Sequence, residues 1–363
     1  MMNNPYTYAK ISLKNLKHNL GVIRKAVGRG IPVMAVVKSD AYGHGMVPVS
    51  TALEQYGIDG FGVAFVEEGA ILRQAGITAP IYVLSGFQRG EEALLLANNL
   101  TPLVYSVQQI DLFNKAVGGR HLAPALHLKI DTGMGRLGFV YDDRDTLARA
   151  LRRIKKLNIT GIATHLSDPG GSRSYTAAQI RRFWEVRKYL ESALSKQLVA
   201  HAANTDSFFH YPGAVFDMVR SGISLYGYGH KDLKPVLSVF SRLISVKTLK
   251  KGHCISYGRT YRLNRDTTVG VIPVGYADGY LRSLSNKAFV GINGKKVYSR
   301  GRVTMNHIMI DLQNIPARIG DPVLIMGQDG SLRIGADTIA SLGSTISYEL
   351  LCGMGASLKR SYE

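Results

Sequence analysis

Short apolar segments alternate with longer segments of helical periodicity over the first 230 residues of this 363-residue chain. Eight of the apolar segments are typical of strands, and they fall at residues 33–37, 60–64, 81–84, 102–105, 125–130, 160–164, 198–202 and 217–220. The first helix is predicted to begin after Ser12 as its cap, with Leu16 and Leu20 on its buried face. Eight strands that alternate with helices predict an α/β fold, an N-terminal (β/α)8 barrel of the TIM type.

The pattern changes after about Tyr228, where strand-like segments follow one another with tight turns between them. These segments fall at residues 236–246, 255–263, 267–275, 289–292, 296–303, 308–312 and 322–326, and one helix is predicted near 336–342. The pair Asn293-Gly294 is a strong signal for a two-residue hairpin turn. The sequence therefore predicts two domains packed against each other, a barrel over residues 1–230 and a mostly antiparallel β domain over residues 231–363.

The chain is strongly basic, with a formal net charge of +19. A basic protein attracts polyanions, and nucleic acid is the commonest of these. The basic residues are, however, spread along the whole chain, and they form neither a tail nor a repeat interleaved with aromatic residues. We interpret the charge as a solubility property and predict no specific nucleic-acid partner. Weak non-specific RNA binding is the alternative.

Several features predict a cytoplasmic protein without membrane segments. No apolar run approaches the length of a membrane span, and residues 1–14 lack the apolar core of a secretory signal. Cys254 and Cys352 are the only cysteines, which is typical of a reducing compartment without structural disulfides. No close cluster of cysteines and histidines indicates a metal site, so we predict none.

Lys38 ends the first predicted barrel strand, and barrel enzymes place their sites at that end of the strands. An apolar surrounding disfavours the ammonium form of a lysine, so its amine becomes nucleophilic. Carbonyl cofactors need such an amine to form a Schiff base. On this lysine alone, the favoured interpretation would be an exposed residue that merely ends a strand.

Seven segments together resemble the alanine racemase family in order and in spacing. They are VMAVVKSDAYGHG (33–45), HLKIDTGMGRLG (127–138), TH (164–165), HAAN (201–204), RSGISLYG (220–227), SYG (256–258) and SYE (347–349). The resemblance spans nearly the whole chain, and the matches are specific as a set although each is weak alone. It implies pyridoxal 5'-phosphate as the cofactor, a homodimer with shared sites, and interconversion of L-alanine and D-alanine, which supplies D-alanine for peptidoglycan.

The resemblance assigns the two catalysts. Lys38 would hold the cofactor covalently and, once released, act as one acid/base group, while Tyr257 of the partner subunit would act from the opposite face of the substrate. Two groups are expected because inversion removes a proton from one face and returns one to the other. A tyrosine is a poor base at its ordinary pKa, so cationic or imidazole neighbours must assist it. Without the resemblance, Tyr257 would be interpreted as an ordinary turn aromatic.

Arg220 and His165 would support these catalysts. By the resemblance, Arg220 donates to the pyridine nitrogen of the cofactor, and His165 links Arg220 to Tyr257. A guanidinium offers only donors, so the pyridine nitrogen would stay unprotonated. A neutral pyridine is a weaker electron sink, which should suppress transamination. The alternatives are a core histidine satisfied by backbone groups and an arginine in a surface salt bridge.

The remaining assignments concern binding. Arg136 would reach the phenolic oxygen of the cofactor and the substrate carboxylate, and Lys129 is carbamylated in some family members so that its charge positions the arginine. The backbone amide of Met305, from the partner subunit, would meet the substrate carboxylate. The remaining predicted cofactor contacts, most of them to its phosphate, are Tyr42, Asn204, Thr205, Gly222, Ile223 and Tyr348.

The chain departs from the common family pattern at several positions. Thr205 replaces a frequent serine and keeps the hydroxyl, whereas Thr304 and Asn306 flank Met305 where the common form is Cys-Met-Asp. Asn306 removes a negative charge near the entrance, which keeps a broad-specificity racemase of the same fold as the alternative function. A decarboxylase of this fold and a non-catalytic pyridoxal-phosphate carrier are weaker alternatives, because Tyr257 and the β domain would be unexplained.

Overall fold

The computed structural model describes residues 5–118, 124–152, 154 and 157–363. Its first ten strands are β1 (Tyr8–Ile11), β2 (Val33–Val36), β3 (Gly60–Val63), β4 (Ile81–Val83), β5 (Thr101–Val104), β6 (Ala125–Asp131), β7 (Phe139–Val140), β8 (Asn158–Ala163), β9 (Val199–His201) and β10 (Val219–Ser221). The helices between them are α1 (Leu13–Val27), α2 (Lys38–Tyr42), α3 (Met46–Gln55), α4 (Val66–Gln74), α5 (Glu92–Ala97), α6 (Val107–Val117), α7 (Arg144–Arg152), α8 (Arg173–Leu194) and α9 (Thr205–His210).

Eight of these strands form the barrel, in the order β10-β2-β3-β4-β5-β6-β8-β9 with parallel neighbours. Two backbone hydrogen bonds bridge the remaining seam, from Asp217 N to Ala200 O (3.0 Å) and from Arg220 N to Ala203 O (2.9 Å). The eight predicted strands are all present, with ends shifted by one or two residues. The predicted barrel is therefore confirmed.

The first helix follows its sequence signals. Ser12 caps α1 and accepts a hydrogen bond from the amide of Asn15 at 3.2 Å. Leu16, Leu20 and Ile23 are buried on one face of this helix, as expected from their helical spacing. This burial packs α1 against α3 and α9 and leaves Lys14, Lys17 and Lys25 exposed.

The second half of the chain is mostly antiparallel. Its elements are β11 (Leu237–Arg242), β12 (Ser245–Leu249), β13 (Cys254–Ile255), β14 (Tyr261–Arg262), β15 (Thr267–Ile272), β16 (Phe289–Ile292), β17 (Lys295–Tyr298), β18 (Ile308–Asp311), β19 (Pro322–Asp329), β20 (Leu332–Ile334), α10 (Ala336–Leu342), α11 (Ser347–Ser357) and β21 (Lys359–Tyr362). The main sheet has the order β17-β16-β19-β11-β1-β21, and a second sheet has the order β12-β15-β18. The predicted β domain is confirmed as a fold class.

Two predicted strands are each divided in the structure. Residues 236–246 form β11 and β12, because the chain changes sheets where Leu243 N bonds to Asp321 O and Ile244 N bonds to Val271 O. Residues 255–263 form the hairpin β13–β14, interrupted by a 3₁₀ turn at Tyr257–Arg259. The apolar pattern alone does not show a change of hydrogen-bonding partner, so neither division could be predicted.

The strand β1 was not predicted, and it lies in the main sheet of the second half. It pairs antiparallel with β11 and parallel with β21. One continuous apolar core contains side chains from both halves of the chain, among them Ile11, Val36, Leu237 and Leu350. In the described ranges, none of the helices combines the length and the apolar composition needed to cross a membrane.

Candidate active site

A cavity of about 460 Å³ lies at the mouth formed by the C-terminal ends of the barrel strands. The predicted site residues that line it are Lys38, Tyr42, Lys129, Arg136, His165, Asn204, Thr205, Arg220, Gly222, Ile223 and Tyr348. Most of them follow or end a barrel strand, and Tyr348 comes from α11. Val36, Ser85 and Cys352 also line the cavity and had not been predicted.

Lys38 enters this cavity directly after β2. Burial lowers the pKa of its amine, the positive charge of Arg136 lowers it further, and Glu68 and Cys352 oppose the shift. A larger fraction of the amine is therefore uncharged than for a lysine in water. An uncharged amine is the nucleophilic form, so the position suits covalent capture of a carbonyl group.

The segment after Lys38 has an unusual backbone. Ser39, Asp40, Ala41 and Tyr42 all have φ between 53° and 55°, so they form one left-handed turn made of L-residues. Each such residue costs about 1–2 kcal/mol relative to the right-handed conformation. Strain of this kind persists only where surrounding contacts enforce it, and it is concentrated at functional sites. Here the turn places both Lys38 and Tyr42 in one cavity.

Arg220 is buried, with 4% of its surface exposed. Its Nη1 donates to the carbonyl oxygen and to Nδ1 of His201, at 2.7 and 2.9 Å. Its Nη2 donates to the carbonyls of Thr164 (2.6 Å) and Ala202 (3.0 Å) and reaches Nδ1 of His165 at 3.4 Å. Burial lowers the pKa of its guanidinium to about 10, and the group is still cationic at neutral pH. Within the described residues these contacts occupy both terminal nitrogens, so Nε–H is the donor left for a ligand.

The donors of Arg220 fix the tautomer of its neighbour His201. A guanidinium cannot accept, so Nδ1 of His201 must accept, and the His201 ring carries its proton on Nε2. His201 Nε2 then donates to Nδ1 of His127 at 2.8 Å. Burial lowers the pKa of His127 to about 3, and burial together with the charge of Arg220 keeps the pKa values of His201 and His165 well below the ordinary value. The result is a directional chain of neutral imidazoles behind Arg220.

Sequence reasoning assigned no role to His127 or His201, although both lie in the quoted segments. A usable signal existed, because His127 precedes Lys129 by two residues on β6 and so shares its face of the strand. Tyr82 packs its ring against both imidazoles, with centroids 5.1 and 6.4 Å away. These residues support Arg220 from within the barrel.

Lys129 is almost fully buried, with 6% of its surface exposed. Burial lowers its pKa to about 7, and the positive charges of Arg220, Arg136 and Lys38 contribute to the decrease. A lysine that is half neutral at neutral pH can react as an amine.

Replacing Lys129 by methionine is expected to change how stability depends on pH. Between pH 7 and the ordinary lysine pKa of 10.5, the unfolded chain binds a proton at Lys129 that the folded chain lacks. The wild type should therefore gain stability relative to Lys129→Met as pH rises through this window, by roughly 5 kcal/mol. Urea unfolding of both apoproteins at several pH values measures this, with exposed Lys115→Met on α6 as the control. Equal pH slopes in wild type and Lys129→Met would contradict the assignment.

The side of the cavity near β10 is rich in hydroxyl and amide groups. Thr205 Oγ1 accepts from the amides of Gly222 and Ser224, both at 3.3 Å. A Cβ atom at Gly222 would lie only 2.8 Å from Tyr42 Oη, so glycine allows the ring to approach the backbone closely. Tyr42 and Tyr348 pack with ring centroids 5.7 Å apart. Hydroxyls and backbone amides grouped in this way fit a phosphate dianion.

Asn204 has a structural role as the N-cap of α9. Its side chain caps α9 by accepting from the amide of Ser207 at 3.1 Å, and its Nδ2 lies 3.5 Å from the carbonyl oxygen of Leu166. The cap fixes the start of α9, where Thr205 is the first residue. Asn204 thus positions the Thr205 hydroxyl, in addition to lining the cavity.

Arg136 lies on a loop organised by Asp131. The Asp131 carboxylate accepts from four successive amides, those of Gly133, Met134, Gly135 and Arg136, at 2.8–3.2 Å. Burial alone would raise the pKa of Asp131, but these donors lower it below its ordinary value. The loop is thereby fixed as it passes the cavity, and Asp131 is a positioning residue that the sequence did not single out.

Tyr257 and Met305 lie away from this cavity. They are 73% and 56% exposed, and Tyr257 lines a separate surface cavity together with Thr304 and His307. The loop that carries Met305 is held where Ala277 N donates to Met305 O at 3.0 Å. One chain alone therefore brings Lys38 together with the predicted cofactor contacts but not with Tyr257.

The fold and the cavity define a class of protein: a (β/α)8-barrel enzyme with an antiparallel β domain and a polar pocket at the barrel mouth. The family is shown by two family models, the alanine racemase N-terminal domain over residues 11–230 and the alanine racemase C-terminal domain over residues 236–362. The chain belongs to the alanine racemase family. The family and enzyme class predicted from the sequence are confirmed.

Individual relatives agree with this membership. An alanine racemase of Thermodesulfovibrio yellowstonii is 39% identical over 361 residues, covering 98% of each chain. The structure of alanine racemase from Streptomyces lavendulae matches with a TM-score of 0.94 and 29% identity, over 99% of this chain and 97% of that one. Alanine racemase from Bartonella henselae, whose structure contains covalently bound pyridoxal phosphate, matches with a TM-score of 0.90 and 28% identity, over 99% and 100%.

Proposed function

We propose that this chain, a racemase by family, interconverts L-alanine and D-alanine with pyridoxal 5'-phosphate held at the barrel mouth. The observation that carries the proposal is the cavity itself, in which a lysine of lowered pKa, a buried arginine and a group of hydroxyls and amides face one another. The bound cofactor in the Bartonella henselae relative adds support.

The residues of the cavity fit this cofactor. Lys38 would bind it covalently, and the Nε–H of Arg220 would donate to its ring nitrogen and leave that nitrogen unprotonated. Its phosphate would be held by Tyr42, Thr205, Gly222, Ile223 and Tyr348, with Asn204 fixing the start of α9. When bound, the cofactor withdraws electrons from the α-carbon of the substrate and makes its proton more acidic.

The protein's own groups then move the proton. Lys38 Nζ would remove or return it on one face of the α-carbon, and Tyr257 Oη on the other. With Nδ1 accepting from Arg220, His165 would carry its proton on Nε2, and this Nε2–H would donate to Tyr257 Oη and favour its charged form. Arg136 and the backbone amide of Met305 would hold the substrate carboxylate.

A homodimer would supply the missing half of this site. We propose that residues 231–363 of each subunit cover the barrel mouth of its partner, so that Tyr257 and Met305 face Lys38 across the interface. The large exposed fractions of both side chains in one chain support this arrangement. A two-fold dimer built in this way contains two equivalent composite sites.

The same proposal sets the cellular role. The enzyme would act in the cytoplasm and supply D-alanine for peptidoglycan, as is typical of the family. The runner-up is a broad-specificity racemase of the same fold, which Asn306 favours because it removes a negative charge near the entrance.

Purified protein should be yellow. Borohydride reduction should attach the cofactor permanently to Lys38, because the Schiff base formed by an amine and a carbonyl group is reduced to a stable amine. Peptide mapping of the reduced protein measures this, with Lys38→Ala as the unlabelled control. Label on another residue, or on none, would overturn the cofactor assignment.

Incubation with single amino acids and separation of the enantiomers tests the substrate. Alanine should exceed serine in turnover, because Tyr257 and Tyr348 would crowd a larger side chain. Comparable rates with lysine or arginine would favour the broad-specificity alternative.

A further inference from the structure

The left-handed turn after Lys38 is held by a strand from the far end of the sequence. We propose that Arg360 and Tyr362 on β21 position Lys38 and Tyr42 for the cofactor by clamping this turn. The inference rests on the proposed function, since it assigns positioning residues to the same site. β21 need not contact the cavity itself, because it would position Lys38 and Tyr42 by holding the backbone of the turn between them.

The first contact of the clamp is electrostatic. Arg360 Nη1 donates to Oδ2 of Asp40, the second residue of the turn, and to the carbonyl oxygen of Gly43 at 3.1 Å. The other carboxylate oxygen of Asp40 accepts from the amide of Met46 at 2.7 Å. Asp40 therefore links the turn to α3 on one side and to β21 on the other. Arg360 spans the turn, because Lys38 lies two residues before Asp40 and Tyr42 directly precedes Gly43.

The second contact is steric. Tyr362 packs on Gly45, where a Cβ atom would lie 2.0 Å from the tyrosine Oη. Gly43 faces the backbone of α11, where its Cβ would lie 2.4 Å from the carbonyl oxygen of Leu351 and 3.0 Å from Cα of Gly355. Both glycines have positive φ, 81° at Gly43 and 92° at Gly45. Their small size lets β21 and α11 close on the turn.

The clamp is itself fixed by the main sheet. The strand β21 pairs in parallel with β1, with Arg360 opposite Ala9 and Tyr362 opposite Ile11. The side chain of Arg360 is 22% exposed and that of Asp40 is 43% exposed, so the ion pair is shielded on the arginine side. A left-handed turn of four L-residues relaxes unless such contacts oppose it. Loss of the clamp should therefore displace Lys38 and Tyr42 together.

The test is the binding of pyridoxal phosphate to apoprotein, measured by absorbance titration and by borohydride trapping at Lys38. Arg360→Met and Asp40→Asn should each raise the cofactor Kd about tenfold or more. The double variant should lose less affinity than the product of the two single losses, because both substitutions remove the same ion pair, while Arg360→Met also removes the contact with Gly43 O. Arg360→Lys, which keeps the charge, should recover part of the affinity.

Glu363→Gln is the matched control. It breaks the 2.9 Å ion pair between Glu363 and Lys10, which joins the same two strands and does not touch the turn. Its cofactor Kd should stay within about twofold of wild type. Urea unfolding of the apoproteins should place Arg360→Met and Glu363→Gln at similar stabilities, so that a difference in Kd reports positioning. If Arg360→Met does not fold, Arg360→Lys and Asp40→Asn carry the same test.

The outcomes separate the two proposals. Wild-type affinity in folded Arg360→Met or Asp40→Asn would overturn the clamp and leave the proposed function intact. An equal loss of affinity in Glu363→Gln would also overturn it, since the effect would then be general loosening of the sheet. A wild-type protein that is not trapped at Lys38 would overturn the proposed function and the clamp with it.

Discussion

After subunit exchange, a mixture of two inactive variants, Lys38→Ala and Tyr257→Phe, is expected to recover about a quarter of wild-type activity. Each variant alone lacks one catalyst in both of its sites. In a mixed dimer with shared sites, one site receives both lesions and the other receives neither. Random exchange makes about half of the dimers mixed, and half of their sites are intact. The assay is alanine racemisation after subunit exchange in mild denaturant.

The control uses two lesions in the same half of the site. Lys38→Ala mixed with Arg136→Ala places one barrel lesion in each site of the mixed dimer, so no activity should return. Exchange itself is verified by pull-down of a tagged subunit. Activity that stays at the level of the separate variants, after exchange has been verified, would refute a site shared between subunits. Tyr257 would then have to reach Lys38 within one chain, from a surface where it is now 73% exposed.

Replacing Arg220 by glutamate is expected to lower racemisation by roughly 10²–10³-fold and to raise the formation of pyruvate by transamination. A carboxyl partner would favour protonation of the ring nitrogen of the cofactor, and a protonated ring is a stronger electron sink. The variant should also lose about 2–5 kcal/mol of stability, because the carbonyls of Thr164, His201 and Ala202 lose their donor.

Arg220→Lys separates these two effects. Lysine keeps a cationic donor but lacks the planar guanidinium that donates to several acceptors at once. Stability should therefore decrease, while pyruvate formation stays at the wild-type level. Pyruvate is measured with a coupled dehydrogenase, and stability is measured by urea unfolding. A glutamate variant with wild-type rates and products would show that Arg220 does not contact the cofactor.

The barrel could be predicted because its strands are buried on both faces and therefore appear as continuous apolar segments, such as the four residues of β2. The strand β1 could not, because Tyr8–Ile11 is short and its partners, near Val239 and Arg360, come far later in the chain. A strand of four residues has too little pattern to be assigned without its neighbours. Helix α11 was also missed, with Tyr348 assigned only through the family resemblance.

The part of the candidate site that lies at the ends of the barrel strands could also be predicted from the sequence. Lys38, His165 and Arg220 stand at strand ends, and parallel strands place those ends at one mouth. The contact of Asp40 with Arg360 could not be predicted, because it depends on a left-handed turn that L-residues rarely adopt.

The place of β1 between β11 and β21 also sets an order of events during synthesis. Ribosomes add about 5–20 residues per second, so Tyr8–Ile11 waits on the order of ten seconds or more before Leu237–Arg242 exists, and longer for Lys359–Tyr362. All eight barrel strands are made in that interval. The segment that bears Lys38 is thus synthesised early and receives the strand that fixes its turn late, so we expect tight capture of the cofactor only after β21 has been made.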